Sequence, residues 1–73
     1  MRKTMTPGES DRFVLGLLRR KGPLTTTQII EEARKNGVKC AESTGNFLAG
    51  MKFRGQIRGT LDLKKKAWEW SLP

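Results

Sequence analysis

The chain has 73 residues, no histidine, no tyrosine and one cysteine, and its 15 Lys and Arg outnumber 7 Asp and Glu to give a formal net charge of +8. A chain this short buries only about 60% of the surface its unfolded form exposes, so one domain with a small core is expected and a deep cleft with several catalytic groups is not. The missing histidines and the single Cys40 remove most acid/base chemistry, an internal disulfide and any zinc set, while the excess of positive charge attracts polyanions, nucleic acid or an anionic membrane surface.

At the N-terminus, residues 1–5 read as a short, flexible basic tail carrying Arg2 and Lys3. Polar residues follow it where a secretory signal would need an apolar segment. Phe13 to Leu18, the longest apolar stretch, is too short to span a bilayer. A reduced, non-secreted chain is therefore expected, cytoplasmic and nucleoid-associated, or nuclear. Thr6-Pro7-Gly8-Glu9 is a helix start: Thr6 as N-cap, Pro7 at the first helical position and Glu9 returning the capping box. Phe13, Val14, Leu17 and Leu18 recur at helical spacing and Gly22-Pro23 ends the run, predicting a first helix over about 7–21. Leu15 lies off that stripe and reads as a lone exposed leucine.

Leu24 is short, extended and apolar. A second helix over about 26–36 follows, capped by Thr25 with Gln28 or by Thr26 with Ile29. Its apolar face is Ile29, Ile30 and Ala33, Glu31 and Lys35 pair on the outside, and Gly37 supplies a left-handed cap. A third helix over about 41–54 puts Cys40, Thr44, Phe47, Leu48 and Met51 on one side and Glu42, Asn46, Ala49 and Phe53 on the other. Two glycines, Ser, Thr and Asn make it a weak helix former. That small, polar outer face suits close approach by a partner, or else belongs to a frayed exposed helix. Gly55 terminates it, and Phe53 is expected to pack on the base of the next element.

Alternation takes over in the last segment, with strands predicted over about 56–62 and 67–72. Pairing Leu61 with Trp68, Gly59 with Trp70 and Ile57 with Leu72 places these apolar side chains on one face, whereas a one-residue slip would split them. In this register Trp70 covers the bare backbone of Gly59, and Leu63 to Lys66 become a four-residue loop.

Helix, short strand, helix, turn, helix and hairpin, in this order and at this size, resemble the winged helix-turn-helix superfamily over nearly the whole chain, from Thr6 to Leu72. The resemblance rests on Phe13, Val14, Leu17 and Leu18, on LTTTQIIEEARKNG, on STGNFLAGM, and on RGQIRG leading into AWEW. It implies an α+β, mainly α, three-helix domain with a C-terminal wing of two or three strands. It also implies that the third helix enters the major groove and the wing reaches phosphates or the minor groove. Carried over by position, Ser43, Thr44, Asn46 and Gly50 are candidates for base contact, Asn46 foremost because an amide bonds both N6 and N7 of adenine. Lys39, Lys52, Arg54, Arg58, Lys64, Lys65 and Lys66, with Arg2 and Lys3 as a basic arm, are candidates for phosphate contact. Glu42 is expected at the positive N-terminus of the third helix.

The expected function is thus a non-catalytic, cofactor-free protein on double-stranded DNA, a transcriptional regulator or an architectural protein, acting as a monomer or as a dimer formed on DNA. Alternatives are RNA or repeat nucleic acid bound by the same face, and a protein-interaction module using Ala49, Gly50 and Phe53. No membrane partner is expected. Glu31 and Glu32 point in different directions from one helix and form no catalytic or metal pair.

Overall fold

The computed structural model describes residues 3–39 and 43–73, Lys3 by its backbone alone. In chain order the elements are β1 (Lys3–Thr4), α1 (Pro7–Lys21), β2 (Leu24–Thr25), α2 (Thr26–Lys35), β3 (Val38–Lys39), α3 (Thr44–Phe53), β4 (Arg58–Asp62) and β5 (Ala67–Ser71). Three helices and a three-stranded antiparallel sheet make an α+β, mainly helical domain.

Local chemistry sets the helix ends. Thr6 accepts from Glu9 N at 3.3 Å and Glu9 Oε1 accepts from Thr6 N at 3.0 Å, so both halves of the α1 capping box form. Thr25 and Gln28 do the same for α2, at 3.2 and 2.9 Å, which decides between the two caps open in the sequence. Gly55 (φ 79°) ends α3 in a Schellman turn, with Gln56 N donating to Met51 O and Gly55 N to Lys52 O, both at 3.0 Å. The start of α3 differs. It begins at Thr44 after Ser43, whose side chain makes no cap hydrogen bond, and the expected roles of Cys40 and Glu42 lie outside the described residues.

Val14, Leu17 and Leu18 of α1, Ile29 of α2 and Phe47, Leu48 and Met51 of α3 meet in the core, joined by Met5, Leu24, Ile57 and Trp70. Burial contradicts several sequence expectations. Residues 3–5 are not a free tail: β1 runs parallel to β3, Met5 N donates to Lys39 O at 2.9 Å, and the Met5 side chain is only 6% exposed. Leu15 packs against the core instead of standing alone, because the core wraps further round α1 than its main stripe. Ile30 lies at the edge of the α2 face and is exposed. Glu31 pairs with Arg34 at 3.4 Å, one residue short of Lys35.

The sheet has the order β2-β5-β4, with β5 antiparallel to both neighbours. Leu61 lies opposite Trp68 and Gly59 opposite Trp70, as the alternation predicts. Pairing ends at Arg58 with Ser71, so Ile57 and Leu72 fall beyond the ladder; Ile57 turns into the core while Leu72 remains exposed. Leu24 and Thr25 add the third strand opposite Trp70 and Glu69. Trp70 is 4% exposed, and its indole N–H donates to Thr26 Oγ1 at 2.8 Å, tying the sheet to the start of α2.

A Cβ at Gly59 would stand 2.5 Å from Trp70 Cζ3 and 2.9 Å from Cε3. Gly59→Ala is therefore expected to cost about 2–3 kcal/mol and to lower the thermal midpoint by roughly 10–20 °C, as read by circular dichroism. Lys21 also bridges to Glu32 at 2.9 Å, joining the end of α1 to α2. The hydrogen bond from Lys21 holds the Glu32 carboxyl below its ordinary 4.5, against a smaller opposing effect of desolvation. A depressed carboxyl favours folding above its unfolded pKa and loses that contribution as pH falls through the folded value. Urea midpoints of Glu32→Gln should accordingly fall less steeply than wild type as pH drops below 4.5.

Candidate functional site

The end of α3 and the β4–β5 hairpin lie side by side. Lys52 makes the join: its stem would touch a Cβ at Gly59, 3.1 Å from Cδ, and its ammonium stands 5.4 Å from the centre of the Trp68 ring. Trp68 stacks on Trp70 with centroids 5.8 Å apart and planes 22° from parallel. A cation and two indoles thus form a layered contact from α3 across the hairpin. A shallow groove beside it is lined by Lys52, Gly55, Arg58, Gly59 and Thr60.

Of the residues expected at bases, Ser43 and Asn46 are exposed, and Thr44 and Gly50 are half-buried. A Cβ at Gly50 would approach Arg54 Nη1 to 3.3 Å, because the Arg54 side chain folds back along α3. There Arg54 Nη2 stands 3.5 Å from Asp11 Oδ1 of α1, and Nε donates to Gln56 Oε1 at 3.2 Å. Arg54 thereby bridges from the end of α3 to α1, with half its side chain still exposed. Phe53 does not pack on the hairpin base as expected. It is 93% exposed, since the Schellman turn after it directs Ile57, rather than Phe53, into the core.

The remaining expected phosphate ligands divide into two sets. Lys65 pairs with Glu69 at 3.4 Å, while Arg58, Lys64 and Lys66 are exposed and join no ion pair among the described residues. Lys39 is exposed on β3. Arg2 and the Lys3 side chain lie outside the described residues.

At the tip, Asp62 Oδ1 accepts from Lys64 N at 2.9 Å and Lys65 N at 3.2 Å, an Asx turn that starts the four-residue loop. The loop closes with Lys66 in the left-handed region, φ 53°. Leu63 in the loop and Trp68 just after it are exposed. Sequence reasoning missed the half-exposed Trp68 because strand alternation assigns a side chain to a face, and only the length of the supporting core decides how far along that face burial extends.

Among the described residues, no cluster of three or more His, Cys, Asp or Glu could hold a metal ion, and no helix is long and apolar enough to cross a membrane. No protein-family model, curated protein or solved structure matches the chain.

Lys66 carries a side chain where glycine fits best. Lys66→Gly should raise unfolding stability by about 0.5–1 kcal/mol, because the left-handed conformation strains every L side chain. Urea denaturation followed by tryptophan fluorescence measures the change.

Proposed function

We propose that this protein is a winged-helix domain that binds double-stranded DNA, as a transcriptional regulator or an architectural protein without catalysis, with α3 in the major groove and the hairpin as a wing on the phosphate backbone. The observation that carries this reading is the Lys52–Gly59–Trp68 junction, which holds the exposed face of α3 beside a hairpin tipped by free cations. A short β2 strand beside the hairpin agrees with the same arrangement. The net charge of +8 supplies the long-range attraction.

Within this reading the phosphate ligands are Lys39, Arg58, Lys64 and Lys66, with Arg2 and Lys3 of the basic N-terminus as further candidates. Lys52, Lys65 and Arg54 have work inside the protein and serve the interface mainly by fixing its shape. Asn46 and Ser43 face the bases.

Fluorescence anisotropy with a labelled duplex over a salt series tests the proposal. Four to six phosphate contacts correspond to a log–log salt slope of about −3.6 to −5.4. Combining Lys64→Ala with Lys66→Gly should reduce the magnitude of that slope by about 1.8. In an NMR titration the amide shifts should fall on Asn46 and Lys64 to Lys66. A slope near zero with binding retained, shifts confined to α2, or preference for an RNA duplex of equal length would each defeat it.

A further inference from the structure

Phe53 has no packing task in the fold: it is the most exposed of the large apolar side chains described, at 93%, and ends the helix that the reading above places in the major groove. Asn46 and Ala49 are exposed on the same helix. At about 100° per residue, the three fall within an arc of about 60°. From Asn46 to Phe53 the helix rises about 10 Å, the length of roughly three base steps.

Lys52 of the last turn and Arg54 at the C-cap make contacts elsewhere. Lys52 lies over the Trp68 ring, and Arg54 is drawn to Asp11 and Gln56. The exposed stripe itself therefore offers an amide, a methyl and a phenyl ring, and the cations beside it, which could bond O6 and N7 of guanine, make their contacts at Trp68 and at Asp11 and Gln56. An amide suits adenine, whereas Ala and Phe side chains suit the 5-methyl group of thymine.

We propose that Phe53, with Ala49, reads thymine methyl groups, and that the DNA this face selects is A·T-rich, with thymines lying within about three steps of the adenine held by Asn46. This inference rests on the major-groove placement of α3 proposed above. Phe53 is a specificity-determining residue, and the cost of leaving a phenyl ring in water is relieved only in the complex.

Selection from a randomised duplex library is expected to enrich A·T-rich sites. The enriched duplex is then remade with deoxyuridine at every thymine, which keeps each hydrogen-bonding edge and removes only the methyl. Wild-type affinity should fall about fourfold for each methyl covered, about fifteenfold for two. Phe53→Ala should shrink that thymine-to-uracil ratio at least fourfold and leave the thermal midpoint unchanged, which separates recognition from folding. Equal wild-type affinity for both duplexes, enrichment of G-rich sites, or an undiminished ratio in Phe53→Ala overturns the thymine reading and leaves DNA binding standing. Failure to bind any duplex overturns both.

Discussion

Trp70 lying across the bare backbone of Gly59 is the constraint on which the remaining architecture depends. The indole belongs to the central strand, so its position fixes the register toward β4 on one side and β2 on the other. Its N–H reaches Thr26 at the first turn of α2, and its ring supports Trp68, over which Lys52 of α3 is placed. Truncating a buried tryptophan costs about 3–5 kcal/mol, a large share of the roughly 4–11 kcal/mol that keeps a domain of this size folded. In so small a core, one aromatic contact can orient several elements at once.

The surface follows from the same economy. Seven acids cannot neutralise fifteen cations, and the structure uses its acids locally: Glu32 on Lys21, Glu31 on Arg34, Asp11 on Arg54 and Glu69 on Lys65. Several of these pairs stand between helices or within the hairpin and define geometry more than they add stability, since exposed pairs contribute about 1 kcal/mol at most. Of the exposed cations that join neither an ion pair nor the Trp68 ring among the described residues, Arg58, Lys64 and Lys66 lie on the hairpin, Arg12, Arg19 and Arg20 on α1, Lys35 on α2 and Lys39 on β3. Three of these unpaired cations thus stand on the hairpin, and the rest are spread over α1, α2 and β3.

Much of the fold was legible because its signals are local. The α1 boundaries follow from Thr6-Pro7 and Gly22-Pro23, and the Trp70–Gly59 register follows from alternation with one slip excluded. The β1–β3 pairing was not legible, because two-residue strands carry no periodicity and the partners are separated by all of α1 and α2. The candidate site was legible as a set of residue types at helix and hairpin positions. Which cations are free, and that Phe53 faces water, were not.

The sequence by itself determined where the chain turns, which side chains share a face, and that the molecule is strongly basic, since capping, periodicity and charge act over a few residues or by simple addition. Only the tertiary structure decided that Arg54 and Lys65 are engaged, that Lys52 lies over Trp68, that Met5 enters the core, and that Phe53 remains outside. These outcomes depend on distances between segments remote in sequence, and a pairwise contact has no local signature in the residues that make it.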